Sequence, residues 1–388
     1  MRREFHAQFP FALQDSITQA FAIPWLVGQE KRLPARWRDI AMIQDPWVRV
    51  NLLAQAIVTG RKEEARIGTR RIEGGHRFWL QRRADEFLNQ QRSLMDRLGL
   101  SSSLPDLSFF PAGSWAIQVP FTLRKPYLSK DDSDFYILDN PVRKEWVFKM
   151  PYVAPSQWKG TLRAAMVRKL VQDFQNGRID EERFVEKRLQ LYHLFGNEKD
   201  GTAEYLNRIL AFHRVGPPPS EGDKAAVEKW EKAFRDILDA VAEKFENLLR
   251  ERHYRIGDTK GFQGRLRFYP TFFDLISLEV INPHDRETGT GKQPIYFECV
   301  PPGATGVFTL LYVPLDAADG SEERMEQAKE DLKAVAWGVR AMLTRYGFGA
   351  KTTSGYGVAE VKLSPQDVKP EDPVFQQIWL DAWEVDHA

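Results

Sequence analysis

Three segments of the sequence contain residues suited to binding a phosphate or to acid–base chemistry. The first, RYGFGAKTTSGYG, has one lysine among glycines, and these residues are Gly347, Gly349, Lys351, Gly355 and Gly357. Glycine permits positive φ and close backbone approach, so amide groups in such a loop can line up on an anion while the lysine supplies charge. A long turn that needs glycine only for its backbone shape is the competing interpretation.

The second segment, MPYVAPSQWKGTLRAA, predicts the start of a helix. Ser156 can cap this helix, and Lys159 and Arg163 lie four residues apart on one side of its first turns. Basic residues at a helix N-terminus oppose the helix dipole, so their placement costs stability unless an anion is bound there. The alternative is that both project from a solvated face. Trp158, beside the lysine, either stacks on a nucleic-acid base or fills core.

The third segment, YLSKDDSDFYILDNPVRKEW, is rich in carboxylates and contains the cations Arg143 and Lys144, which we include among the candidate phosphate contacts. Its Asp139 precedes an Asn-Pro pair. A carboxylate beside RNA can orient a divalent metal or position a 2′-hydroxyl for attack on the neighbouring phosphodiester. Asp-Asn-Pro is also a good turn former, so a purely structural role is the alternative.

The histidines add one further candidate. His284 lies in the polar stretch NPHDRETGTGK with Arg286, where both either contact RNA or belong to a solvated loop. The other histidines are scattered singly, and their spacing does not suggest a metal cage.

Composition limits the class of protein. A chain of 388 residues with 43% hydrophobic residues is long enough for one large or two ordinary domains. The formal net charge of +1 gives no general attraction to a polyanion, so local patches must bind any nucleic acid. The single cysteine, Cys299, excludes an intrachain disulfide framework and a cysteine-rich zinc site. With no apolar run of membrane-spanning length and no signal-peptide pattern at the start, we expect a soluble, cytoplasmic protein without a membrane partner.

Periodicity predicts the elements that position these segments. From about residue 10 to 100 the pattern is helical, most clearly in HRFWLQRRADEFLNQQRSLMDRLG. PWVRVNLLAQAIVTG predicts another helix, with Pro46 near its start and Gly60 at its end. Serine, proline and glycine then cluster between residues 100 and 113. We therefore expect an N-terminal helical extension over residues 1–110 and a domain boundary near residue 110.

The pattern changes after that boundary. WAIQVPFTLR alternates as a half-buried strand does, and QWKGTLRAAMVRKLVQDFQNG predicts a helix that ends at Gly177. A charged helical insertion follows at about 178–258, and strand patterns return in GRLRFYPTFFDLISLEVI and GVFTLLYVPL. A helix from Ser321 to Tyr346 and the strand GYGVAEVKL complete the order. Strand, helix, strand, strand, helix, strand is the order of a ferredoxin-like (RRM-like) sandwich of the α+β class, which we expect over residues 111–388.

The combined motifs resemble a known family. LDNPVRKEWVFKMPYVAPSQWKGTLR resembles the region of the RAMP superfamily in which an Asp-Asn-Pro-Val or Asp-Ser-Pro-Val loop precedes a Leu-Lys-Gly-x-x-Arg helix start. Downstream, GRLRFYPTFFD, NPHDRETGTGKQPIYFECVPPG and GFGAKTTSGYG are similar to that superfamily's second strand, second loop and glycine-rich loop, in the same order. The resemblance covers roughly residues 115–363, excluding the helical insertion.

The resemblance is closest to the repeated backbone subunits of type III CRISPR effector complexes. It implies a RAMP palm with a thumb-like hairpin that kinks a guide CRISPR RNA, assembled with other effector subunits and further copies of the same chain. It also implies that a complementary target RNA is cleaved by an aspartate with a divalent metal ion, expected to be Mg²⁺, and the matching position is Asp139. Lys159 and Arg163 match the guide-contacting lysine and arginine, and residues 347–357 match the glycine-rich loop.

Two alternatives remain open from the sequence. One is a non-catalytic RAMP cap or structural subunit with the same fold. The other is a ribonuclease that processes the precursor guide RNA, which would be expected to use a histidine near the first helix of the palm, and none occurs between His76 and His193. The chain also departs from the family pattern, because Trp158 stands beside the expected phosphate site and the glycines expected after the first strand are absent.

Overall fold

A computed structural model describes residues 22–384 of the chain, apart from 30–42, 58–59, 69–74, 102–103, 132–135, 199, 221, 255–260, 284–290, 292–293 and 316–321. Within this described part, no helix combines the length and apolar character needed to cross a bilayer.

The strands fall into one large and two small antiparallel sheets. In chain order they are β1 (Trp115–Leu123), β2 (Tyr152–Val153), β3 (Leu266–Phe268), β4 (Thr271–Phe272), β5 (Ser277–Ile281), β6 (Ile295–Cys299), β7 (Thr305–Tyr312), β8 (Ala359–Val361) and β9 (Val368–Lys369). The large sheet has the order β3-β7-β1-β8, with β9 also paired to β1. The alternating pattern of WAIQVPFTLR predicted β1, which is the central strand and pairs with β7 from Trp115 opposite Tyr312 to Thr122 opposite Thr305.

The helices lie in the N-terminal part, on the large sheet, and in an insertion between two of its strands. In chain order they are α1 (Pro46–Asn51), α2 (Lys62–Ile67), α3 (His76–Arg82), α4 (Ala84–Arg97), α5 (Pro155–Gln175), α6 (Glu181–Phe195), α7 (Asp200–Val215), α8 (Lys224–Glu251), α9 (Glu322–Arg340) and α10 (Pro373–Glu384). Helix α5 follows β1 and α9 follows β7. The α+β class is therefore confirmed, and the strand order is consistent with the predicted ferredoxin-like sandwich.

Helices α5 and α9 pack closely against each other. Gly338 on α9 lies against α5, and a Cβ atom at that position would be 2.7 Å from Met166 Cγ and 2.9 Å from Leu162 Cδ1. The predicted apolar face of α5 is buried as expected, including Leu170 at 5% and Phe174 at 5% exposure. Glycine at position 338 thus allows the two helices to approach without displacing the core.

The predicted second strand is shorter than the sequence pattern suggested. GRLRFYPTFFDLISLEVI forms three strands, of which only β3 joins the large sheet, while β4 pairs with β2 and β5 with β6. Pro270 separates β3 from β4, because proline has no backbone N–H to donate to a ladder. The antiparallel pair β5–β6 forms a hairpin that runs from Ser277 opposite Cys299 to Ile281 opposite Ile295.

The N-terminal helices share a core with the palm. One continuous cluster of buried side chains contains Trp47 and Trp79 from the first hundred residues together with Trp115 and Phe308 from the large sheet. Cys299, at the end of β6, is 2% exposed, and burial raises the pKa of its thiol to about 12. A thiol in this state is a buried apolar group and not a nucleophile.

Candidate nucleic-acid interface

The glycine-rich loop, residues 347–357, leaves the helical segment 341–346 and enters β8. Its two stems are joined by a hydrogen bond from Phe348 N to Gly357 O of 3.1 Å. The loop also binds the chain that leaves β1, because Gly357 N donates to Pro126 O at 2.9 Å and Ala350 N donates to Leu128 O at 2.7 Å. The stems are thus fixed, and residues 350–354 form the tip.

Two of the loop glycines are required by close backbone contacts. Gly357 has φ +71°, and a Cβ atom there would overlap the carbonyl oxygen of Phe348. Gly349 has φ +95°, and a Cβ atom there would overlap the carbonyl oxygen of Leu128. Gly347 and Gly355 also have positive φ, of 73° and 82°. In the stems, the glycines are thus needed for the shape of the backbone. Lys351, at the tip of the loop, is exposed and adopts φ 58°.

Trp158 fills core and does not stack on a base. Its side chain is 0% exposed, and its Nε1 donates to Thr271 Oγ1 at 3.1 Å. The ring lies 4.5 Å from the Phe348 ring and 5.0 Å from the Phe308 ring, measured between centroids. Its assignment as an RNA contact is wrong, because water and ligands cannot reach it. It serves instead to pack the glycine-rich loop against the start of α5.

A groove of about 280 Å³ runs between the first turns of α5 and the glycine-rich loop. Arg168 lies at one side of this groove, and its guanidinium is 4.9 Å from the centroid of the Tyr346 ring. The Tyr346 hydroxyl is buried and has no hydrogen-bond partner among the described residues. The groove is lined by Gln157, Gly160, Thr161, Ala164, Ala165, Arg168, Tyr346, Gly347, Phe348, Gly349 and Thr352. A polyanion that enters it meets a cation, hydroxyls and an amide.

The predicted basic helix start is only partly directed at this groove. Arg163 donates to the carbonyl of Phe195 at 3.0 Å, at the C-terminal end of α6, and burial lowers the pKa of its guanidinium. This hydrogen bond stabilises the end of another helix, and the assignment of Arg163 as a phosphate contact stays a prediction. Ser156 is exposed but does not cap α5, whose N-cap is Ala154. Lys159 is half-buried on the first turns of the same helix.

Asp139 lies on an exposed turn and is bound by two cations from the N-terminal part. Its carboxylate lies 2.8 Å from Lys62 Nζ and 3.4 Å from Arg66 NH1, and its side chain is 60% exposed. The next residue, Asn140, bridges to Phe297 on β6. The Nζ of Lys351 is 5.4 Å from the centroid of the same Phe297 ring. The acidic turn and the tip of the glycine-rich loop thus both approach Phe297.

Of the two cations that follow Asp139, Lys144 has a structural role. Lys144 is 5% exposed, and its Nζ pairs with the buried carboxylate of Glu298 and donates to Val142 O at 3.1 Å. Its assignment as an RNA contact is wrong because the ammonium group is enclosed by the protein. Arg143 is half-buried, with its guanidinium 5.9 Å from the centroid of the Tyr152 ring.

The pair between Lys144 and Glu298 belongs to a buried network beneath the acidic turn. The carboxylate of Glu298 also binds His76 Nε2 at 2.5 Å, the hydroxyl of Tyr136, and the backbone N–H of Val142 at 3.1 Å. Burial by itself would raise the pKa of Glu298, but Lys144 and His76 hold it at about 2. The network joins α3, the acidic turn and β6.

His284 and Arg286 lie outside the described residues. Within the described residues, no group of three or more His, Cys, Asp or Glu side chains is arranged to hold a metal ion. Both oxygens of Asp139 already face cations, which repel a divalent metal. The Asp139 carboxylate is thus paired with two cations in this structure, and the divalent metal stays a prediction.

Sequence reasoning missed the cations that surround the acidic turn and line the groove. Lys62 and Arg66 lie 77 and 73 residues before Asp139, and nothing in their local pattern links them to it. Arg168 had a detectable signal, since it lies on α5 five residues after Arg163 and is exposed.

Comparisons with known proteins place the fold in a family. The family model described as the RAMP superfamily matches residues 135–360. No curated protein matches the sequence. Among solved structures, the chain is similar to one described as the type III-B Cmr-beta complex bound to cognate target RNA, with 13% identity, a TM-score of 0.36, and coverage of 87% of this chain and 84% of that one. It is also similar to Cmr6 from Pyrococcus furiosus, with 16% identity, a TM-score of 0.29, and coverage of 65% and 99%.

Both TM-scores are low, so neither likeness supports a conclusion about what this chain binds or does. The family match is a match to the sequence, and its range includes the acidic turn, the start of α5, the hairpin and the glycine-rich loop. Since that match extends over more than half of the 388 residues, the chain belongs to the RAMP superfamily.

Proposed function

We propose that this chain binds a guide CRISPR RNA along its backbone, as a subunit of a type III CRISPR effector complex. The observation that carries the proposal is the groove between α5 and the glycine-rich loop. Arg168 lies on the wall of this groove, and Lys351 lies at the exposed tip of the loop. Family membership supports the same class of ligand. The proposed partners are the guide, a complementary target RNA, other effector subunits and further copies of this chain.

The charges favour a single-stranded polyanion. Net charge is only +1, so attraction must be local. Helix α5 has no acidic residue in its first turn, Arg168 lines the groove, and Lys351 is next to the lining residue Thr352. Contacts of cations with phosphates fix the register of a strand without reading its sequence. A guide subunit must bind different guides equally well, so a backbone-reading groove suits this task.

The proposal is tested by the salt dependence of RNA binding. We expect the double variant Lys351→Ala/Arg168→Ala to weaken binding of single-stranded RNA irrespective of sequence. Each lost phosphate contact should reduce the slope of log K against log salt by about 0.7. Lys232→Ala, an exposed lysine on α8 far along the chain from the groove, is the matched control and should change neither quantity. An unchanged slope in the double variant would remove the groove as the RNA site.

Membership of an effector complex needs a separate experiment. Co-expression with the neighbouring genes, purification through a tag on this chain, and sequencing of the bound RNA should yield repeat-derived guides with several protein partners. A chain that purifies alone and without RNA under these conditions would contradict the proposed assembly.

Cleavage of a paired target RNA through Asp139 stays a prediction, and so does the divalent metal. Support for it is the 60% exposure of the Asp139 side chain, together with the bridge from its neighbour Asn140 to Phe297, whose ring lies 5.4 Å from Lys351 Nζ. Asp139→Ala should abolish guided cleavage by the assembled complex while guide binding is kept. Continued cleavage at the wild-type rate would favour the non-catalytic alternative.

The processing ribonuclease has less support from the geometry. His76 is 0% exposed and His193 is 7% exposed, so neither of the two histidines nearest α5 in sequence can reach a substrate in this structure. If the isolated chain cuts precursor RNA specifically in the presence of chelator, the processing ribonuclease becomes the better-supported function.

A further inference from the structure

A turn between the acidic loop and α5 presents a tryptophan to solvent. Trp146 is 80% exposed and Val147 is 75% exposed. Among the large hydrophobic side chains that the structure describes, only Phe109, at 85%, is more exposed. These two neighbouring side chains together present apolar surface that another molecule can cover.

The turn is built to hold this position. The carboxylate of Glu145 accepts hydrogen bonds from the backbone N–H of Val147 and of Phe148, both at 2.7 Å. The backbone closes with Lys149 N to Glu145 O at 3.0 Å and Glu145 N to Met150 O at 2.9 Å. Lys149 adopts φ 58°, a conformation that a non-glycine residue takes only where its surroundings impose it. The indole is therefore held out by a structured turn.

The turn is connected to the proposed RNA groove by the chain that leaves β1. Arg143 N donates to Ser129 Oγ at 2.9 Å, which fixes the base of the turn to that chain. One residue earlier, Leu128 O accepts from Ala350 N in the glycine-rich loop at 2.7 Å. The glycine-rich loop and the Trp146 turn thus attach to adjacent residues of the chain that leaves β1.

The charges around the indole favour a nucleic-acid base. Lys149 Nζ lies 5.9 Å from the centroid of the Trp146 ring, and Arg143 is at the base of the turn. The carboxylate of Glu145 is occupied by the two backbone amides. An aromatic face with a cation beside it matches a nucleic-acid base and its adjoining phosphate.

We propose that Trp146 is a stacking platform for one base of single-stranded RNA that continues from the groove, with Lys149 beside the adjoining phosphate. Stacking of this kind tolerates any base, because every base has a π-face. The proposal rests on the proposed function, since it needs RNA in the groove. It adds a contact that depends on the base and not on the phosphate.

Fluorescence anisotropy with the purified full chain tests it, using labelled oligouridine and the same oligomer with abasic sites. We expect Trp146→Ala to weaken oligouridine binding roughly 5- to 150-fold, from about 1–3 kcal/mol per stacked base. Its slope against salt should stay unchanged, because no phosphate contact is removed. Trp146→Phe should retain most of the affinity, and Phe109→Ala, equally exposed, should have no effect.

The abasic oligomer separates stacking from any structural role. Wild type and Trp146→Ala should bind it equally, since it has no base to stack. Equal binding of oligouridine by both proteins would overturn the stacking proposal while leaving the groove proposal intact. Loss of self-association in Trp146→Ala, with RNA binding unchanged, would show a protein-docking role instead and would likewise overturn it. Failure of the wild-type chain to bind either oligomer would instead refute the proposed function itself.

Discussion

Replacing Glu298 with glutamine tests the buried network that supports the acidic turn. The Glu298 carboxylate is 0% exposed and faces Lys144, His76 and Tyr136. A carboxyl whose pKa falls from 4.5 to about 2 on folding stabilises the protein by about 3 kcal/mol at neutral pH, at about 1.4 kcal/mol per pKa unit. A second estimate agrees, because removing one partner of a buried ion pair typically lowers the free energy of unfolding by about 3–5 kcal/mol.

The effect should depend on pH with a defined sign. Because the pKa of Glu298 is lower in the folded state than its ordinary value of 4.5, its stabilisation is complete above that value and is lost as the pH falls toward 2. The difference in the free energy of unfolding between wild type and Glu298→Gln should therefore shrink by about 1 kcal/mol between neutral pH and about pH 3.5. Urea unfolding at both pH values measures it.

The matched control is Glu326→Gln on α9. Glu326 is paired with Lys329, but its side chain is 64% exposed, so its loss should change the free energy of unfolding by less than about 1 kcal/mol. Hydrogen exchange adds a local measurement, because the backbone N–H of Glu298 donates to Asn140 O at 2.9 Å beside Asp139. The reasoning is refuted if Glu298→Gln unfolds at the wild-type urea concentration at neutral pH.

Two further substitutions have expected outcomes that can be measured in the same way. Gly355→Ala, with φ +82° but open space around it, should cost only the conformational penalty of about 1–2 kcal/mol. Gly357→Ala has the same penalty and also an overlap of its Cβ with the Phe348 carbonyl, so it should destabilise the protein more than Gly355→Ala and weaken RNA binding, as urea unfolding and RNA titration would show. The Arg188 guanidinium is 1% exposed and lies 2.7 Å from the carboxylate of Glu198. Arg188→Met should destabilise the helical insertion by about 3–5 kcal/mol, because Glu198 loses its partner. Limited proteolysis within α7 and α8 measures this loss.

The palm was predictable because its signals are local. Strand β1 alternates buried and exposed residues over a few positions, and α5 repeats its apolar residues at helical spacing until Gly177, which has φ 68°. Each of these patterns is contained in one element, so one sequence suffices to find it. The domain boundary near residue 110 stays a prediction, and the continuous core from Trp47 to Trp115 shows that the two parts pack together.

Which of the polar and aromatic candidates are buried could not be predicted from the sequence, because their burial depends on partners far away along the chain. Lys144 lies in a charged segment that reads as exposed, yet its buried partner Glu298 is 154 residues later. Trp158 meets Thr271 at a separation of 113 residues. An aromatic residue beside a lysine near a helix start gives the same sequence pattern whether the sheet buries its ring or leaves it exposed. Only the tertiary packing of β4 and β7 on α5 decides it.

The pairing of Asp139 with the N-terminal part has a consequence for its proposed chemistry. The two cations are not equivalent: the Lys62 side chain is 35% exposed, whereas that of Arg66 is 7% exposed and lies 4.8 Å from the Tyr296 ring. Exposed ion pairs stabilise by at most about 1 kcal/mol, so a phosphate can take Lys62 away from Asp139. Arg66 is held by the protein and stays. Bound RNA would thus free one oxygen of Asp139 and keep the other oriented, which is the arrangement that a positioned acid–base group requires.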